Sequence, residues 1–322
     1  MKKILGLLCA VSFAVMSLTV SAESSDDFLV ETYDMTTGTI TTENLGNIDD
    51  TDYFPSTKVA SNTYTQGARM IIGEDDRAIV KDTTVRPYSC IGYLRGARSD
   101  GGIIKRTAFL VGPSKILTAA SSVYPELEFK EFRFYPGYNS LEKDTGNEAP
   151  YSYANAIITK VHIPADFKKA FSSGDLVNME KYDYALLELD KSIGTSAGWL
   201  PLAGYNTAYN ENTLVGKNVV IVGYPEATNH YMYRDKRAII SFPNNYLIAT
   251  TADGTIGQEG GPMLISASNT YYALGIYNRY GNASQNHGRS EEHTSEPSHH
   301  FIAYAVFCLK KKRGGGGGGG GG

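Results

Sequence analysis

Short β-type runs set apart by Gly, Pro, Asn and Asp fill the middle of the chain. They are Tyr88 to Leu94, Thr107 to Val111, Phe132 to Tyr135, Ala156 to His162, Tyr184 to Leu189, Val219 to Val222, Ala238 to Phe242 and Tyr246 to Thr251. Each is rich in β-branched and aromatic residues, and turn-forming residues bound most of them, which is how strands read in a sequence. Helical periodicity is scarce. Many short strands without intervening helical patterns predict an all-β barrel or sandwich rather than a parallel sheet. The 219 residues from Met70 to Gly288 suit two small barrels.

The two ends read differently. Lys2 and Lys3 precede an apolar run from Ile4 to about Val20, followed by Val20-Ser21-Ala22, and this predicts a signal peptide over 1–22 and an exported protein without a membrane anchor. Residues 289–322, RSEEHTSEPSHHFIAYAVFCLKKKRGGGGGGGGG, have no periodicity and no caps, and within them RSEEHTSE and YAVFCLKKK resemble what a common short-read sequencing adapter encodes. They are read as non-native, so the domain over 71–288 is expected to be truncated at its end.

With 42% hydrophobic and 20% charged residues the chain can bury a full core. Setting both ends aside leaves 23 basic and 31 acidic residues. Nine of those acids fall in Glu23 to Arg69 against Lys58 and Arg69 alone, whereas Met70 to Gly288 is nearly neutral. The segment 23–70 therefore reads as an acidic, weakly structured leader. No basic patch emerges, so nucleic acid is not an expected partner. Cys90 is the one cysteine between the two ends, and its apolar setting predicts a buried thiol rather than a reactive one.

Three stretches carry the candidate chemistry. They are Thr107-Ala108-Phe109-Leu110-Val111-Gly112-Pro113-Ser114-Lys115-Ile116-Leu117-Thr118-Ala119-Ala120-Ser121-Ser122, then Tyr182-Asp183-Tyr184-Ala185-Leu186-Leu187-Glu188-Leu189, then Gly257-Gln258-Glu259-Gly260-Gly261-Pro262. In order and spacing they resemble the chymotrypsin-like serine peptidases, and with IIGEDDR and DTTVRPY they resemble the bacterial glutamyl endopeptidases in particular. The resemblance covers about Ile71 to Gly288. It implies two antiparallel six-stranded β-barrels, about 71–195 and 196–288, with a cleft between them, and it implies neither cofactor nor metal.

In that family the first stretch ends TAAH, the second supplies Asp and the third is GxSGxP. The resemblance thus places Asp183 at the orienting aspartate, Ser121 at the histidine and Glu259 at the nucleophilic serine. The oxyanion hole falls on the N–H groups of Gly257 and Glu259. A hydroxyl does not take up a proton near neutral pH as imidazole does, and a carboxylate beside the oxyanion donors opposes the charge they serve to hold. The histidines outside the tail, His162, His230 and His287, match no base position of the family, and Ser122 is a nearby hydroxyl that could stand in as nucleophile. For substrate binding, the family's Thr before the nucleophile and His in the following strand correspond to Gly254 and Tyr277. Asp253 lies six residues before Glu259, where an acid can select basic side chains or simply form a turn.

The expectation is a secreted serine-peptidase homologue without catalysis, kept for binding a peptide or protein in the cleft. The alternative is an active secreted endopeptidase working through an unconventional site. The charge of Glu259 adds a geometric expectation: its side chain folds onto the oxyanion-hole N–H groups as a built-in occupant.

Overall fold

In the computed structural model, the described residues are 27–47, 71–72, 74–97, 103–124, 131–139, 155–203, 211–226, 231–244, 247–282 and 285–290. The expected signal peptide, Arg69, His230 and most of the adapter-like tail lie outside them.

Nine strands come first: β1 (Asp27–Asp34), β2 (Ile40–Asn47), β3 (Ala78–Ile79), β4 (Ile91–Ala97), β5 (Ile103–Gly112), β6 (Lys115–Thr118), β7 (Glu131–Pro136), β8 (Ala156–Pro164) and β9 (Ala185–Leu189). Two helices, α1 (Ala165–Ser173) and α2 (Leu176–Lys181), fill the connection from β8 to β9. Strands β8, β7, β4, β5, β6 and β9 pair in that order, and β9 pairs back onto β8. The result is a closed antiparallel barrel of six strands, in which β7 pairs only with Ala156 and Ile157 at the start of β8. Its interior is close-packed: a Cβ on Gly92 would lie 2.3 Å from the Phe134 ring, so only glycine fits at that point of β4.

The second half contributes β10 (Asn218–Gly223), β11 (Tyr233–Asn244), β12 (Leu247–Thr250), β13 (Pro262–Ala267), β14 (Thr270–Asn282) and β15 (Gln285–Ser290). They pair in the order β10, β13, β14, β15, β12, β11, and β10 pairs with β11 as well. Val219, Ile221, Ile239, Ile248, Met263 and Leu274 form the centre of the apolar cluster on this side. The last strand runs to Ser290, pairing Arg289 with Ile276 and Leu247, so it reaches two residues into the segment read as non-native.

Two elements depart from the sequence reading. The leader, read as weakly structured, supplies the hairpin β1–β2, and β1 lies antiparallel to β8 through Val30↔Pro164 to Asp34↔Lys160. Phe28 and Val30 are buried in the core of the N-terminal half, and that contact, absent from any local pattern, is what orders an acidic segment. The second departure is β3, which precedes the first barrel in sequence yet joins the other sheet, pairing with β11 through Ile79↔Tyr233 and Ala78↔Arg234. No helix among the described residues is long and apolar enough to cross a membrane.

Candidate active site

After β6 the chain leaves the barrel in a single 3₁₀ turn, Ala120–Ser122, all of whose residues are buried. This turn presents Ser121 to Asp183, which precedes β9 and is fully buried. The Asp183 carboxylate accepts two hydrogen bonds from the one residue, from Ser121 N at 2.7 Å and from Ser121 Oγ at 2.8 Å. Both oxygens of the aspartate are thus directed at position 121. Ser122 is buried beside it, and its Oγ has no hydrogen-bond partner.

The third stretch forms a turn of unusual backbone. Gly257 has φ +97° and Gly260 φ +84°, conformations open to glycine and costly for other residues. In this turn Glu259 curls back so that Gly257 N donates to Glu259 Oε2 at 2.5 Å. The carboxylate therefore occupies one of the two N–H groups that the family resemblance assigns to the oxyanion hole. Charge-assisted bonds of this kind are about twice as strong as neutral ones.

The two halves of the site are fixed against each other through threonines. Thr107 N donates to Glu259 O at 3.2 Å, Thr107 Oγ1 donates to Gly257 O at 2.7 Å, and Tyr224 N donates to Thr107 Oγ1 at 2.9 Å. Thr118 Oγ1 in turn donates to Thr107 O at 2.8 Å. A Cβ on Gly260 would lie 2.0 Å from Thr118 Oγ1 and 3.1 Å from Ala119 N, so the Glu259 turn rests on the strand that leads into Ser121. Thr107 and Thr118 were not singled out from the sequence, where each reads as an ordinary β-former.

The substrate-side residues lie along β14 and the turn before Gly257. Tyr277 pairs through its backbone with Gly260 and Gly261. A Cβ on Gly254 would lie 2.0 Å from Tyr277 Oη, so the phenol fills the space above that glycine. Burial and the neighbouring Glu259 carboxylate push the Tyr277 phenol well above its usual range. Asp253 is buried and accepts from Ile72 N at 2.7 Å, while its own N–H donates to Asp235 Oδ2 at 2.7 Å. Burial, followed by the charge of Asp235, raises the Asp253 carboxyl. Among the described residues Asp76, Asp235 and Asp253 are the one acidic group spaced closely enough to hold a metal ion. The Arg237 guanidinium already pairs with Asp76 and Asp235.

Sequence reasoning also missed Arg77. Its Nη1 donates to Thr255 Oγ1 at 2.7 Å and to Gln258 Oε1 at 2.6 Å, bracing the Glu259 turn from the segment that precedes the barrel. IIGEDDR was noted for its resemblance, but a single sequence carries no sign of that reach. His162 stands away from the site, on β8, with Nε2 3.2 Å from Glu188 Oε1 and Nδ1 2.8 Å from Thr32 Oγ1. His287 pairs with Ala249 through the backbone of β15. Cys90 is buried and free, and burial pushes its thiol up.

No family model matches the chain. The glutamyl endopeptidase of Bacillus licheniformis is 26% identical over 227 residues, which are 68% of this chain and 65% of that protein. The chain thus spans slightly less than two thirds of that relative's length. The extracellular metalloprotease of Bacillus subtilis strain 168 is 28% identical over 255 residues, 76% of this chain and 74% of that protein. Among solved structures, Glu endopeptidase in complex with MPD aligns with a TM-score of 0.58 at 25% identity, covering 73% of this chain and 99% of that one. The closed barrel, the order of the three stretches and these similarities agree: the chain is a homologue of the glutamyl endopeptidases and has the chymotrypsin-like fold.

Proposed function

We propose that this is a secreted homologue of the glutamyl endopeptidases that does not hydrolyse peptide bonds and uses its cleft to bind a peptide or protein. The observation that carries this reading is the Glu259 carboxylate on Gly257 N. Acyl transfer in this fold needs a nucleophile, a base that removes its proton, and N–H donors aimed at the oxyanion that forms. At the nucleophile position Glu259 offers a carboxylate that is spent on its own turn. Its negative charge sits where negative charge must later develop, and losing one oxyanion donor alone costs roughly 100- to 1,000-fold in rate.

The base position fares no better. Asp183 holds Ser121 by both backbone and hydroxyl, so its carboxylate meets a hydroxyl at the position where the resemblance expects an imidazole. General-base assistance is worth about 100- to 10,000-fold, and Ser121 supplies none near neutral pH. The same bonds support this reading, since the buried Asp183 carboxylate still receives donors from position 121 and is not left unpaired. Secretion rests on the signal-like N-terminus and on the extracellular relative of Bacillus subtilis.

The test is turnover. The purified chain is incubated with casein and a mixed fluorogenic peptide pool beside an Asp183→Ala control, and equal, background-level signals are expected. Hydrolysis faster than the control overturns the reading and favours an active endopeptidase built around Ser121, Ser122, Asp183 and Glu259.

A further inference from the structure

The leader hairpin sits on the barrel with the bonding of a permanent strand. The half of β8 from Lys160 to Pro164 pairs with β9 on one side at Lys160 to His162, while β7 reaches only Ala156 and Ile157 on the other. On the side that β7 leaves, β1 takes over, pairing Val30 to Asp34 with Pro164 to Lys160. Without β1 this stretch of β8 would expose a row of backbone N–H and C=O groups, the kind of edge that recruits another strand.

The side chains make a built seat. Phe28 and Val30 are buried in the N-terminal core. Lys168 Nζ on α1 pairs with Glu31 Oε2 at 3.1 Å, and Thr32 Oγ1 bonds His162 Nδ1 at 2.8 Å. Tyr33 Oη donates to Glu31 Oε2 at 2.5 Å, and the Tyr33 ring meets Tyr124 edge-on with centroids 6.5 Å apart. Tyr124 follows closely on the Ser121 turn and also packs against Phe167 at 5.9 Å and Phe171 at 5.3 Å. The acidic hairpin thus lies against Lys160 and Lys168, a match of charge as well as of shape. By contrast β2, the outer strand, is exposed along its described side chains.

We propose that the hairpin over 27–47 is a structural part of the N-terminal barrel that remains docked on β8, without a covalent link, when the chain is cut between residues 48 and 70. A cut leader would then persist as a second chain that closes the β8 edge and supports the segment bearing Ser121 and Tyr124. This holds whether or not the cleft hydrolyses peptides.

The experiment introduces a specific protease site between residues 48 and 70 of the full chain, cuts it to completion, and passes the product over a size-exclusion column at low and high salt. Co-elution of the hairpin peptide with the barrel at both salt concentrations is expected, because the seat rests on backbone pairing and apolar burial more than on screened charge. Separation of the peptide overturns the proposal, whether the remainder stays folded or not. Val30→Asp, which puts a charge into the seat, should release the peptide after cutting, whereas Thr42→Asp on exposed β2 should not. If Val30→Asp yields no soluble protein, Phe28→Ala replaces it and should leave more free peptide than the parent. Full retention in the variant that is read overturns the seat described here.

Discussion

At position 121 a serine holds the buried Asp183 carboxylate, which under the proposed reading is the structural half of the role the family resemblance gives to a histidine. Its N–H and Oγ–H both end on Asp183, so Ser121→Ala removes one donor from a buried carboxylate and is expected to cost about 1–3 kcal/mol in urea unfolding. Under the proposed reading, hydrolysis takes changes at both Ser121 and Glu259. Ser121→His with Glu259→Ser returns a base and a nucleophile and frees Gly257 N, so turnover at least roughly 100-fold above the parent is expected in the same peptide assay. A folded, inert double variant would count against preservation of the scaffold. Ser121, Asp183, Gly257 and Glu259 were picked out in the sequence because each lies at a fixed offset within a motif of the resemblance, and the folded chain brings Ser121 to Asp183 and Glu259 to Gly257. Thr107, Thr118 and Arg77 were not, because their contacts span between 11 and 181 residues of chain and carry no local pattern. One ion-pair cluster adds a pH dependence: Glu188 bonds His162 and pairs with buried Lys115. The His162 bond foremost, and Lys115 with it, hold the Glu188 carboxyl down to about 2. A carboxyl lowered on folding stabilises the protein above its ordinary titration range, and that stability is lost as pH falls toward 2. Glu188→Gln should therefore flatten the acid side of the stability profile, and it should cost roughly 3 kcal/mol near neutral pH by leaving Lys115 buried without its counter-charge.

Among the elements, the eight apolar runs each found a strand, from β4 to β12, because alternation and β-branching report directly on a half-buried pleated surface. The hairpin β1–β2 was hidden for the converse reason. Its outer strand faces water and keeps no apolar rhythm, and its inner strand offers little more than Phe28 and Val30 as signal. Helix α1 was passed over because its nine residues give only about two and a half turns of periodicity. Turns carry a constraint of their own. A Cβ on Gly257 would lie 2.4 Å from Tyr224 O and 2.7 Å from Glu226 N, backbone atoms that cannot swing aside, at a φ that disfavours L-residues. Gly257→Ala is expected to lower unfolding stability by roughly 2 kcal/mol or more.

For the molecule as a whole, the boundary drawn from sequence at residue 71 groups 71–80 with the first barrel, whereas the folded chain uses them to hold the second sheet. β3 pairs with β11, Ile72 N bonds Asp253, and Arg77 spans from its ion pair with Asp75 to Thr255 and Gln258. Gln258 Oε1 also accepts from Thr255 N at 3.0 Å, so one side-chain oxygen collects the bonds that shape the turn ending in Glu259. A strap from the front of the domain therefore sets the position of a residue in its second half, and the Thr107 bonds set it from the first barrel. Arg77→Ala removes a buried charged donor from Gln258 and Thr255 while leaving the Thr107 contacts in place. Hydrogen exchange is the fitting measurement because it resolves the turn from the strands around it. Faster exchange at Gly257, Gly260 and Gly261 with unchanged protection in β4 and β5 is expected; uniform loss across both halves would mean that the strap stabilises the whole molecule rather than the turn.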